Sequence, residues 1–145
     1  MNWPIPPSLI LDVGETVKAV RVHKPQPHKG VDIHCAAGTP VLSAEDGVVV
    51  AVVDGRRSRD PKRRAAGLFV DVKSSRYVCR YLHLGEVFVF VQQPALVGDA
   101  LGTVASPFQS GLAERPHLHF EVRHLADVGY GAPLDPLRLL PTRRS

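Results

Sequence analysis

Arg115-Pro116-His117-Leu118-His119-Phe120-Glu121-Val122-Arg123 reads as a β-strand with two unlike faces. At a period of two, His117, His119 and Glu121 fall on one side and Leu118, Phe120 and Val122 on the other. The apolar side requires a core. The opposite side carries two imidazoles and a carboxylate in a row, and two rings spaced this way point into the same space, as a metal site requires. His28 and Asp32 stand upstream in His28-Lys29-Gly30-Val31-Asp32. They are four apart and so share a face whether that segment is extended or helical. His83 stands between, in Tyr81-Leu82-His83-Leu84.

Around this strand the chain is a succession of short Val-rich runs broken by 13 prolines and 12 glycines, which predicts β-structure and turns rather than a helical bundle. Thr16 to Val22 alternates as an early strand, and Gly30 to Cys35 forms the next. Val41 to Ala44 and Val48 to Val53 read as a hairpin across Asp46-Gly47, its second arm apolar enough to be buried on both faces. Leu68 to Val72 and Tyr77 to Leu84 form a second hairpin across Lys73-Ser74-Ser75-Arg76. Its second arm places Tyr77, Cys79, Tyr81 and His83 on one face. Val87 to Val91 and Ala100 to Ala105 complete the strands, with at most one helical turn over Asp135 to Leu139. The fold class is therefore all-β, a compact antiparallel, sandwich-like arrangement. At 145 residues it is expected to be one domain over 1–145, with residues 1–16 as an N-terminal extension and 124–145 as a C-terminal tail.

Hydrophobic residues make up 44% and charged residues 22%, ordinary for a globular chain. The net charge of +4 and pI near 9.4 favour an anionic partner. No motif that reads DNA or RNA accompanies the charge, so nucleic acid is not expected. Most of the excess sits in Asp54 to Gly67, an expected loop, where Arg56, Arg57, Arg59, Lys62, Arg63 and Arg64 face only Asp54 and Asp60. This segment is a candidate basic rim for an anionic polymer. Cys35 and Cys79 are too few for a disulfide framework and too far apart for a zinc knuckle. The N-terminus lacks the basic and apolar regions of a secretory signal, and no apolar run reaches about 18 residues, so no transmembrane segment is expected.

The candidate chemistry is that of a hydrolytic zinc site. Such a site takes three protein ligands, keeps a fourth position for water and lowers that water's pKa to about 7. His28, Asp32 and His119 supply two imidazoles and one carboxylate. Hydrolysis also needs a base and a group to stabilise the developing oxyanion. His117 and His83 are the candidates, and the sequence leaves their roles interchangeable. Glu121 reads as pairing with a basic neighbour or orienting a ligand, and His34 as a surface residue. Tyr81, on the expected face of His83, is a candidate substrate contact.

The motif set HKGVD, AAGTPV followed by DGVV, YLHL, LGTV and PHLHFEVR resembles the lysostaphin-type (LytM-domain) zinc endopeptidases of bacterial cell walls, over about residues 17 to 140. The resemblance implies a compact antiparallel β-domain with zinc in a groove, metal ligands His28, Asp32 and His119, and catalytic histidines His83 and His117. It implies cleavage of peptide stems or cross-bridges of peptidoglycan, at the wall, in the periplasm or outside the cell, by a monomer. Asp135-Pro136-Leu137 is similar to the family's exit from the domain. Two segments depart from its pattern, Gly111-Leu112-Ala113-Glu114-Arg115 before the histidine strand and Ala65-Ala66-Gly67 before Leu68. Both would border the groove. The missing signal suits a phage-type lysis or tail-associated enzyme, or an excised domain. A non-catalytic relative that activates another wall hydrolase is the alternative, although such relatives usually lose ligands and all five positions are present here.

Overall fold

The computed structural model describes residues 1–14, 29–111, 113–125 and 130–143. The early strand expected over Thr16 to Val22 and the candidate ligand His28 lie outside the described residues. The strands are β1 (Asp12–Val13), β2 (Val31–His34), β3 (Pro40–Leu42), β4 (Gly47–Asp54), β5 (Leu68–Lys73), β6 (Tyr77–Leu82), β7 (Leu84–Val87), β8 (Pro94–Ala95), β9 (Ala100–Val104), β10 (His117–Leu125) and β11 (Tyr130–Leu134). One short helix, α1 (Pro61–Ala66), and 3-10 turns at Pro7–Leu9 and Pro136–Arg138 complete the described elements. Among the described residues no helix is long and apolar enough to cross a membrane.

The histidine strand β10 is central to the larger sheet, whose order is β1-β2-β10-β6-β5-β4-β8, all antiparallel. One edge of β10 pairs with β6 through residues 119–124, so its other edge is shared, β2 taking His117 to Phe120 and β11 taking Val122 to Leu125. A second sheet, β3-β9-β7, closes the other side of the core. The period-two reading holds: Leu118, Phe120 and Val122 are fully buried, packed with Val31 and Ile33 of β2, Val70 of β5, Tyr81 of β6, and Val41, Leu84 and Leu101 from the smaller sheet. The nearly all-β, antiparallel architecture is the expected one.

Several local readings are corrected. Val41 and Leu42 do not form a hairpin with β4; β3 pairs with β9 in the other sheet. Its neighbours in sequence lost the competition for its edge to a strand some 60 residues away, the common outcome where two sheets exchange strands around one core. Within β4 only Val49 is buried, while Val48 and Val50 are exposed. A run of β-branched residues thus reflects preference for a pleated backbone and not burial on both faces. Val87 ends β7, and Phe88 to Val91 is not a strand. After Phe88, whose N–H bonds to the carbonyl of Leu101, the chain leaves β9, and Gln92, at φ 75°, turns it so that Gln92 N–H bonds to the carbonyl of Val49. Phe88, Phe90 and Val91 are exposed as a result. The basic segment, expected to be irregular throughout, contains α1, which Asp60 caps by accepting from Lys62 N–H at 2.9 Å. Gly55 N–H and the carbonyl of Gly67 close that segment at 2.8 Å, giving a compact Ω-shaped loop. The tail after residue 124 is partly structured, since β11 adds to the sheet. Cys35 and Cys79 are separate buried thiols, and burial pushes the Cys79 thiol up to about 12.

Candidate active site

The register of β2 against β10 sets the site. Asp32 lies opposite His119, and His34 opposite His117, on the face turned away from the core. Asp32 Oδ1 is 2.9 Å from His119 Nδ1 and 3.6 Å from His117 Nε2. The other nitrogen of His119, Nε2, is 3.0 Å from Glu121 Oε2. Arg123 then grips the second oxygen of Glu121, with Nε and Nη2 at 3.1 and 2.8 Å from Oε1. Adjacent same-face positions of one strand, 117, 119, 121 and 123, thus form a continuous polar row, as a period of two dictates.

His83 joins from the next strand, by a route that alternation alone does not predict. It follows the last residue of β6 and sits at φ 66°, a region where non-glycine residues are uncommon and which carries a strain of about 1–3 kcal/mol. This break in the backbone reverses the alternation. Tyr81 points into the core, fully buried, with its hydroxyl accepting from Ala44 N–H at 2.9 Å and its ring 5.2 Å from that of Phe120. His83 turns instead to the histidine row, with its ring centroid 5.0 Å from His117 and 6.1 Å from His119. The shared face expected for Tyr81 and His83 is therefore wrong, and Tyr81 is a core residue that cannot touch a substrate.

Two backbone carbonyls fix the rings. Nδ1 of His83 is 3.0 Å from the carbonyl of Ser110, and Nδ1 of His117 is 2.7 Å from the carbonyl of Arg115. A carbonyl only accepts, so each ring carries its proton on Nδ1 there and presents Nε2 to the site. Ser110 is buried, and its hydroxyl accepts from Leu68 N–H at 2.9 Å, tying the loop under His83 to the start of β5. Nothing in the local sequence marks either carbonyl for this, because every residue carries one; Ser110 lies 27 residues from His83, and Arg115 only two from His117. His34 is not a free surface residue. Its ring lies 5.3 Å from His117, Nε2 is 3.8 Å from Asp12, and Asp12 is itself paired with Arg115.

The electrostatics follow from burial and from these pairs. Burial opposes the charged form of His119, but hydrogen bonds to Asp32 and Glu121 outweigh it and raise the ring to about 9. Burial would raise Asp32 and Glu121, yet the bond from His119 and the nearby positive groups hold both below their ordinary values, Glu121 at about 2. His83 goes the other way: burial first, then the other two histidines, lower it to about 4. At neutral pH the site therefore holds two carboxylates, ionised, beside a neutral His83.

Asp32 Oδ1 and His119 Nδ1 converge on one point with the hard-oxygen and imidazole character that zinc takes. Glu121 holds the far side of the His119 ring, the usual arrangement around a ligating histidine. Among the described residues no three metal-binding side chains form a complete set, and the third expected ligand, His28, is outside them. The described pair fits zinc by donor type and leaves room in the ligand count for one more imidazole.

Gly30 makes the approach of β2 possible. A Cβ there would lie 2.3 Å from the carbonyl oxygen of Phe120 and 2.9 Å from Glu121 Cγ. Gly30→Ala must therefore push the start of β2 off β10, and it is expected to cost about 1–3 kcal/mol, the scale of overpacking at a rigid backbone. A thermal melt of the variant checks this, together with zinc stoichiometry, which falls if Asp32 moves with its strand.

The basic segment lies against the same region. Gly67 and Gly111 are both at positive φ. A Cβ on Gly67 would be 2.5 Å from Ser110 Oγ, and one on Gly111 would be 2.2 Å from the carbonyl oxygen of Ala65 and 2.8 Å from His83 Nδ1. The base of the Ω-shaped loop thus packs on the loop at Ser110 and Gly111, whose Ser110 carbonyl holds His83. Arg56 is held by Asp54, at 2.9 and 2.8 Å, while Arg57, Arg59, Lys62, Arg63 and Arg64 are exposed.

A sequence model described as Peptidase family M23 matches residues 26–136. The cell division protein DipM of Caulobacter vibrioides is 33% identical over 141 residues, 96% of this chain and 20% of that protein. The peptidoglycan DD-endopeptidase ShyA of Vibrio cholerae is 33% identical over 97 residues, 66% of this chain and 20% of that protein. Among solved structures, a zinc-containing peptidase from Vibrio cholerae superposes with a TM-score of 0.74 at 26% identity, over 92% of this chain and 37% of that one. The chain spans 20 to 34% of the length of the first curated relatives it matches.

Proposed function

Because this chain belongs to peptidase family M23, which is where its resemblance to the lysostaphin-type enzymes placed it, we propose that it is a zinc-dependent endopeptidase that cuts peptide bonds in the stem or cross-bridge of bacterial peptidoglycan. The observation that carries this reading is the convergence of Asp32 Oδ1 and His119 Nδ1, flanked by two histidines whose Nδ1 atoms are both held on backbone carbonyls. Asp32 and His119 would hold zinc together with His28. Bound there, zinc supplies a Lewis acid and lowers the pKa of water to about 7.

The chain's own residues supply the rest. His83 and His117 lie side by side at the site, their rings edge to face with centroids 5.0 Å apart, each presenting Nε2. A proton taken from the attacking water goes to one of these atoms and is passed on to the leaving amine, while the other ring, protonated on Nε2 as an imidazolium, meets the charge developing on the scissile carbonyl oxygen. His83, neutral through burial, is ready to accept a proton without first losing one. Domain 1–145 works as a single unit on a polymeric peptide at the cell wall, in the periplasm or outside the cell. The relative ShyA, named for peptidoglycan, supports that substrate class.

The exposed cations of the Ω-shaped loop, which packs against the Ser110 loop that holds the His83 ring, hold anionic wall polymer near the site. Replacing Arg57, Arg59, Lys62, Arg63 and Arg64 by Gln is expected to reduce sedimentation with purified walls at low salt. The difference shrinks as salt rises to about 1 M, where screening acts within about 3 Å. Unchanged wall binding at low salt would remove this role. The endopeptidase itself is tested by mass spectrometry of products released from peptidoglycan of several chemotypes. New amine termini that a zinc chelator abolishes are expected. Folded, zinc-loaded protein that cuts none of them would overturn the enzyme reading in favour of a protein that activates another wall hydrolase.

A further inference from the structure

Glu121 does more than neutralise a neighbour. It is buried, 5% exposed, and divides its two oxygens between two partners: Oε2 lies 3.0 Å from His119 Nε2, and Oε1 receives the guanidinium of Arg123 at 2.8 and 3.1 Å. The division is geometric. Arg123 is on the same face of β10, two residues on, and its planar fork clasps Oε1 with two N–H groups, fixing that oxygen. With Oε1 held, the remaining oxygen lies beside the ring of His119. Backbone crowding fixes the other coordinate, since Gly30 leaves no space for a Cβ between β2 and Glu121 Cγ.

We infer that Glu121 and Arg123 are a positioning pair, Glu121 holding the Nε2 proton of His119 and Arg123 holding Glu121, so that His119 presents Nδ1 towards Asp32. Neither residue touches substrate. Their action is through the ring of His119 alone, and the inference rests on the reading that Asp32 and His119 hold zinc. An imidazole freed from such a partner is free to rotate and to exchange tautomers, and loss of an outer partner of a ligating histidine typically weakens metal affinity by about 10–100-fold. Arg123 acts at one further remove and its loss should count for less.

The test measures zinc affinity of the whole chain by competition with a chromophoric chelator, for the wild type and for Glu121→Ala, Glu121→Gln, Arg123→Ala and His119→Ala. Expected are tight zinc binding by the wild type, none at this site in His119→Ala, and affinity reduced about 10–100-fold in Glu121→Ala. Glu121→Gln keeps the side chain's volume and one acceptor oxygen, so it is expected to bind more tightly than Glu121→Ala. Substitution with cobalt(II) gives a second readout: its visible absorption band should shift in Glu121→Ala, since the ligand field reports ring orientation, which a loss of stability alone does not alter. Should Glu121→Ala not fold, Glu121→Gln and Arg123→Ala carry the comparison. Wild-type affinity and an unshifted cobalt band in the folded Glu121 variants would overturn the positioning role while leaving the zinc site standing. Zinc binding unaffected by His119→Ala would overturn the zinc site itself, and the positioning role with it.

Discussion

His119→Ala abolishes zinc binding and reduces peptidoglycan hydrolysis to the level of chelator-treated wild type. The expectation follows from how much the ring connects. His119 hydrogen-bonds both Asp32 and Glu121, at 2.9 and 3.0 Å, and it is buried. Its removal takes away a proposed metal donor and strands two acidic groups held low by its charge. A hydrogen bond to a charged group is worth about 1.5–3 kcal/mol, so the metal-free variant should also melt at a lower temperature. His124→Ala is the matched control. It lies on the same strand but is exposed and outside the row of 117, 119, 121 and 123, and it should keep wild-type zinc and rate. Zinc content by atomic absorption and product release by mass spectrometry decide the matter. Full zinc occupancy in folded His119→Ala would show that the metal, if any, sits elsewhere.

The part of this arrangement that was legible in the sequence is the part governed by a period of two. His117, His119 and Glu121 opposite Leu118, Phe120 and Val122 is a statement about one strand, and backbone geometry enforces it wherever that strand pairs. Partnership between strands was less legible. The pairing of Asp32 with His119 depends on a register between segments 87 residues apart, which the spacing of residues within either segment does not encode. The motif resemblance supplied it instead. The erroneous reading of Tyr81 has a local cause. Alternation was carried one residue past the end of β6, and the positive φ of His83 inverts it there. The expected β3–β4 hairpin failed because turn residues mark where a chain bends and not which edge the incoming strand takes. Phe88 to Val91 has the composition of a strand, but the bonding to β9 ends with Phe88 N–H on the carbonyl of Leu101, and Gln92 at positive φ turns the chain away.

His83→Ala and His117→Ala should keep zinc and lose rate, each by at least about 10²-fold in kcat, the scale of a general acid–base or oxyanion group. That corresponds to about 2.7 kcal/mol of transition-state stabilisation. The separation between metal and rate arises from geometry. Both rings are held through Nδ1 by backbone carbonyls, of Ser110 and Arg115, while Asp32 and His119 bond each other directly at 2.9 Å, closer than the 3.6 Å between Asp32 and His117. His83 carries an additional signature. Its backbone is strained at φ 66°, and a strained backbone held in place by its surroundings is a feature that cluster at functional sites have in common. If the two histidines serve one proton-transfer step, the double variant should be scarcely slower than either single one, because removing one member of a unit already removes its contribution. Losses that multiply to about 10⁴-fold would instead assign them separate steps. Wild-type rates in both single variants, with zinc in place, would remove them from the chemistry and leave the burial of His83 as a packing feature.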